Sequence, residues 1–371
     1  LFVAKGFWDH DLTILQHQGP TMSTTPTPRT TEARFSHTGN LPELLASLGA
    51  SVLISTYQAG QLVAVGTHAG KLRFSINQFE QAMGVAVAPN RLAVGSKRQV
   101  WMLLNVPDLA TRVGEPGEHD ACFLPRSCRH TGEVHGHELA FGPQGLWQVT
   151  TLFSCLSLVS EEFNFVPKWK PPFISALAAE DRCHLNGMAM EAGAPRFVTV
   201  MARTDTPGGW RPDKAGTGCV LEVPSGRVVA EGFAMPHSPR LHGGRLWALD
   251  SGRGALVVID MASGQWQEVA RFPGYTRGLA FAGPYALVGL SRIRETSVFG
   301  GIPIAERREE LKCGLGIIDL RTGRHEAHLE FASGVEEVFD VQVLPGIRNP
   351  FIAGPSPSED DKPVWVVPPL G

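Results

Sequence analysis

The strongest constraint on this chain is a repeat. Six times a loop leads into a short alternating apolar run and a turn at Gly, Pro or Asn, and in five of these a second β-rich run follows. The copies are MGVAVAPNRLAVGS from Met83, HELAFGPQGLWQVT from His137, NGMAMEAGAPRFVTV from Asn186, HSPRLHGGRLWALD from His237, RGLAFAGPYALVGL from Arg277 and FDVQVLPG from Phe339. Their starts lie 54, 49, 51, 40 and 62 residues apart. A unit of this size is one small sheet, which can bury its two faces only against copies of itself. The expected fold is therefore all-β: a single β-propeller of six blades, each of four antiparallel strands, with seven blades as the alternative. A β-sandwich would need fewer strands than the chain offers.

The outer half of a blade is also legible. GALVVIDMASGQWQEVARF and GLGIIDLRTGRHEAHLEF each read as a hairpin with an Asp before a Gly-containing turn. The early stretch SVLISTYQAGQLVAVGTHAGKLRFSI supplies three more strands, expected to close the ring with the C-terminal copy. Only Leu41 to Leu48 reads as a helix, packed outside the ring. Residues 41–352 are thus taken as the propeller and 353–371 as a tail or closing segment. Residues 1–40 are taken as a disordered or vector-derived N-terminal segment. Residues 1–21 precede the first methionine, Met22, and Asp9, His10 and Asp11 interrupt any signal-like apolar run.

Composition limits function more than fold. A formal net charge of −3 gives no electrostatic case for nucleic acid or an anionic membrane. No apolar run approaches the roughly 20 residues of a membrane-spanning helix. Six cysteines without a CxxC pair are expected as thiols in a cytoplasmic protein.

Aligning the repeats stacks residues around the axis. The loops into the innermost strands deliver Met83, His137, Asn186, His237, Arg277 and Phe339, with His135, His184, Tyr275 and the pair Glu336–Glu337 just upstream. Histidine thus occurs in three of six equivalent loops. Imidazoles with a carboxylate suit a divalent transition metal: zinc, iron, manganese or copper. The expected ligands are His137, His184, His237 and Glu337, with His135 as a substitute. The same histidines would serve as an acid–base cluster without a metal. Glu138 and Asp340 share a register that points into the blades.

Arg277 at the channel mouth is suited to clamp a carboxylate, phosphate or sulfate, or to pair with a glutamate across the channel. Tyr275 is expected to donate a proton or line the pocket, Asn186 to position the substrate, and Arg240, Arg292 and Arg294 to add positive charge. Two irregular stretches, Pro107–Gly132 and Thr204–Gly218, are expected as lids, the second carrying Trp210. Trp169 is a further lid candidate.

The segments STYQAG, RCHLNG, MPHSPR, LWALDSG, CGLGIIDLRTG and FDVQVLPG resemble a bacterial family of conserved hypothetical proteins, over nearly all of residues 44–350. HLNG and MPHSPR carry the likeness most specifically. The resemblance implies a propeller, draws attention to His184 and His237, and brings fusion to tetratricopeptide repeats in some members. It implies no reaction. In architecture the chain is distantly similar to gluconolactonase-like hydrolases, which use carboxylate and Asn ligands for calcium. Its histidines resemble more the peptide-amidating lyases.

The leading expectation is therefore a metal-dependent hydrolase or lyase acting on a small anionic substrate, turning oxidative if the metal is iron or copper. Glu337, Tyr275 and Arg277 would be catalytic, with Arg277, Asn186 and Arg240 binding the substrate. The alternative is a scaffold propeller that holds a protein partner or small ligand on one face.

Overall fold

The computed structural model describes residues 2–5, 11–14, 34–293, 299–356 and 365–367. Arg294 lies outside them. Six antiparallel sheets stand around one axis, so the ring is a six-bladed β-propeller. Their innermost strands are Val85–Ala88, Gly136–Gly142, Leu185–Glu191, Pro236–His242, Tyr275–Ala282 and Val338–Pro345, in blades 1 to 6. Each expected repeat supplies one of them. The turn residues do what their chemistry predicts: Asp260 accepts from Ala262 N and Asp319 from Arg321 N, both at 2.9 Å, closing the outer hairpins of blades 4 and 5.

Blade 6 joins the two ends of the chain. Its innermost strand, Val338–Pro345, pairs with Ala50–Thr56, and the sheet continues through Gln61–His68 to Lys71–Gln78. This ring closure follows the expectation from sequence. The helix Leu41–Leu48 also forms as read, with Pro in its first turn and Gly49 ending it at φ 59°. Its Leu41, Leu44 and Leu45 are buried with Ile54 of blade 6 and Leu315 of blade 5.

Two boundaries differ from expectation. Phe35–His37 pairs with Arg324–Phe331 as a fifth strand of blade 5, so the segment 1–40 contributes to the ring. The stretch 107–132 is not irregular throughout: Ala121–His130 is the fourth strand of blade 1, and Pro125 sits at its bulge. Alternation there is broken by the bulge, which hides the strand from a period-2 reading. Pro350–Ile352 adds to that strand in parallel. Asp120 fastens the addition by accepting from the Arg348 and Asn349 amides at 2.7 and 2.9 Å.

Near the axis the inner strands approach too closely for side chains on every blade. A Cβ on Gly84 would stand 2.6 Å from His137 O, and one on Gly278 would stand 2.4 Å from Val341 N. Glycine therefore follows the axial position in blades 1, 3 and 5, while Glu138, Ser238 and Asp340 fill it in blades 2, 4 and 6. Among the described residues no helix is long and apolar enough to cross a membrane.

Candidate functional site

The loop into an inner strand makes a tight turn, and this turn aims the axial side chains. Gln81, His135, His184 and Met235, each two residues before an axial position, have φ of 50°, 52°, 49° and 52°. That left-handed turn faces the residue's carbonyl back toward the axial side chain. His137 Nδ1 lies 3.0 Å from His135 O, and His237 Nδ1 lies 3.0 Å from Met235 O. A carbonyl only accepts, so both Nδ1 atoms carry the proton and both Nε2 atoms keep a lone pair.

Hydroxyls reinforce this tautomer. Thr151 Oγ1 gives its proton to Leu185 O at 2.6 Å and sits 2.7 Å from His137 Nδ1, from which it can then only accept. Ser251 Oγ stands 3.0 Å from His237 Nδ1 in the matching place of blade 4. His184 is held differently, with Nδ1 donating to the Asp181 carboxylate at 2.9 and 3.0 Å. Trp210 Nε1 also donates to Asp181 Oδ2 at 3.0 Å, and its ring packs 4.3 Å from that of His184.

The three imidazoles gather as the repeat register requires. The His137 and His184 rings are 5.0 Å apart and edge-on; those of His137 and His237 are 6.5 Å apart and nearly parallel. Burial holds the His137 and His237 imidazoles well below the usual histidine range, and the Arg277 cation adds to the effect. Both are therefore neutral at physiological pH.

Arg277 lies with its guanidinium carbon 3.4 Å from the Phe339 ring centre, and Tyr57 stacks against Phe339 at 5.6 Å. Burial lowers its pKa, which Glu337 partly restores. Its side chain is only 11% exposed, yet among the described residues its one hydrogen-bonded acceptor is Glu337 Oε1, at 3.4 Å. Asn186 is buried in register with His137 and His237. Its Oδ1 accepts from Thr199 at 2.7 Å, while its Nδ2 has no acceptor among the described residues.

Three expectations change. Arg240 is spent inside the protein: it donates to Glu138 Oε1 at 2.9 Å and to Met188 O, Pro239 O and Leu279 O, with Asp340 Oδ1 at 3.8 Å. Two carboxylates facing inward in one register draw the guanidinium into the interior, leaving it unsuited to substrate. Tyr275 is a buried support, its hydroxyl 3.5 Å from His237 Nδ1 and 3.9 Å from Met235 Sδ. It thus lies behind the imidazole, and burial raises its pKa. His135 is exposed at the rim, where its carbonyl rather than its ring serves the site.

The metal expectation meets a distance limit. Metal–nitrogen bonds of about 2.0–2.1 Å place tetrahedral imidazole centres roughly 5 Å apart and never more than about 6.5 Å. The His137–His184 pair fits; His137 and His237 stand at the outer limit. Among the described residues no group of three His, Cys, Asp or Glu stands close enough to hold an ion.

Asp181, Thr151 and Ser251 were missed by the sequence reading. Their signals are present: an Asp three residues before His184, and a hydroxyl fourteen residues after each of His137 and His237. Trp210 is buried in the core and packs against His184, while Trp169 donates to Pro224 O at 2.9 Å between blades 2 and 3. Cavities of about 310 and 440 Å³ lie at blade edges, lined by residues such as Cys128 and Phe163 or Arg245 and Trp266, away from the histidines.

A family described as Domain of unknown function (DUF4915) matches residues 39–353, which hold the four antiparallel strands of every blade. The chain belongs to that family. No curated protein matches its sequence. Among solved structures, a chain of a nidogen/laminin complex is similar with a TM-score of 0.51 at 9% identity, covering 80% of this chain and 99% of that one. TolB from Acinetobacter baumannii gives 0.45 at 12% identity, covering 81% and 67%. The nidogen/laminin likeness is one of fold.

Proposed function

We propose that this propeller binds a small molecule with an anionic group at the axial mouth and acts on it there. The observation that carries this reading is Arg277. A guanidinium with five donors, almost buried and, among the described residues, hydrogen-bonded to Glu337 alone at 3.4 Å, is left ready for an anion. The Nε2 lone pairs of His137, His184 and His237 are the reactive groups beside it, able to take a proton or a metal bond. Hydrolase or lyase chemistry follows from either use. Six free thiols accord with a cytoplasmic setting.

A second reading has its own support in the 5.0 Å His137–His184 pair. A divalent transition metal would sit on these two, with Glu337 completing the ligands and His237 moving inward.

Calorimetry with acetate, citrate, inorganic phosphate and sulfate tests the anion reading. At least one is expected to bind, with Arg277→Gln weakening it at least tenfold. No binding of any of them to folded protein overturns it. Elemental mass spectrometry of the parent and of a folded His137→Ala/His184→Ala/His237→Ala variant tests the metal. Stoichiometric metal lost in the variant supports the metalloenzyme; none after reconstitution leaves the metal-free site.

A further inference from the structure

The charges and acceptors around Arg277 specify the occupant more narrowly. Resting on the anion reading above, we infer that the axial site takes a small zwitterion. Its carboxylate lies on Arg277 and its ammonium among the imidazole nitrogens of His137, His184 and His237, beside Glu337. An α-amino acid is the simplest member of the class.

Charge balance is the first argument. The site holds Arg277 beside Glu337 and the neutral imidazoles of His137 and His237, and behind His184 the Asp181 carboxylate has Arg211 Nη2 3.8 Å away, so its charges cancel in pairs. A bare anion or a metal dication would leave net charge in a place with little water. A zwitterion does not, because each of its ends meets an opposite charge already present. The Arg277–Glu337 contact of 3.4 Å is long for an ion pair, so a ligand entering between the two groups gives up little.

Hydrogen-bond chemistry is the second. With their Nδ1 protons committed to the carbonyls behind them, the neutral imidazoles of His137 and His237 present acceptors only, and His184 turns its Nδ1 to Asp181. An ammonium is a compact donor of three N–H groups. Asn186 Nδ2, buried and without an acceptor among the described residues, is a further donor that complements the carboxylate end.

Distance is the third. An N–H···N bond of about 2.9 Å puts imidazole centres about 4 Å from a central nitrogen, and two such rings at a tetrahedral angle about 6.5 Å apart. His137 and His237 are 6.5 Å apart. The same rings would have to close by roughly 1 Å to share a tetrahedral metal ion. The 5.0 Å His137–His184 pair is narrower than tetrahedral and is met by a more acute pair of hydrogen bonds.

The test is calorimetry on the intact chain with each of the twenty standard amino acids. It is repeated for any that bind with the acid lacking the amino group and the amine lacking the carboxylate. At least one amino acid is expected to bind at least tenfold tighter than either truncated analogue. Glu337→Gln is expected to weaken the amino acid at least tenfold and the desamino acid less, while Arg277→Gln weakens both. If carboxylates bind equally well without the amino group, or if no amino acid binds while other carboxylates do, the zwitterion assignment is overturned and the anion reading stands. If no carboxylate of either kind binds folded protein, the zwitterion assignment falls, and the anion reading falls with it when phosphate and sulfate fail to bind as well. Stoichiometric metal lost with the three histidines also overturns it, since metal and ammonium need the same lone pairs.

Discussion

At the scale of the residue, the site is made by committing one nitrogen of each histidine. Backbone carbonyls hold His137 and His237, and a carboxylate holds His184, so nothing else is needed to fix the tautomer. This arrangement has a consequence for stability. Burial depresses the folded-state pKa of His137 and His237, whereas the unfolded chain titrates near 6.5. Above that pH neither state binds the protons, and the contribution is complete. As pH falls through about 6.5, the unfolded state takes up protons that the fold refuses, and stability is lost. Urea midpoints are therefore expected to fall between pH 7.5 and 5.5 more steeply for the parent than for a His137→Asn/His237→Asn variant. The buried acids Glu138 and Asp340, raised by burial, have the opposite slope, but it is common to both proteins. Equal slopes would mean that the two histidines carry charge in the fold.

At the scale of the element, the inner strands are held together by one arginine. Arg240, from blade 4, reaches Glu138 of blade 2, Met188 O of blade 3, Leu279 O of blade 5 and approaches Asp340 of blade 6. Those contacts are possible because the glycines of alternate blades let the strands approach. Removing the guanidinium leaves two carboxylates buried without their counter-ion. Arg240→Met is expected to cost about 3–5 kcal/mol by urea denaturation, and Glu138→Gln added to it to recover part of the loss. A loss below about 1 kcal/mol would show that water already compensates the two acids.

At the scale of the whole molecule, closure is the decisive contact. Blade 6 takes its inner strand from the C-terminal part of the chain and its other three from the N-terminal part, so no blade sequence gap remains between first and last. The same piece brings Glu337 and Phe339 to the site. A chain ending at residue 336 is expected to lose its cooperative thermal transition and its near-ultraviolet circular dichroism. Retention of both would show that five blades and an open edge suffice.

The sequence by itself determined the repeat, and with it the propeller fold, the expected closure, the outer turns and the residues stacked toward the axis. These follow from local alternation and from a register that recurs about every 50 residues. His137, His184, His237 and Arg277 were legible for that reason. What only the tertiary structure decided is the direction in which each group spends its hydrogen bonds. Arg240 and Arg277 both lie on innermost strands, yet two acids facing inward capture the first and Phe339 supports the second. Tyr275 turns behind His237, and Asp181 comes forward beside His184. Periodicity places a side chain on a face, but its partners lie on other blades, and their distances exist only once the ring has closed.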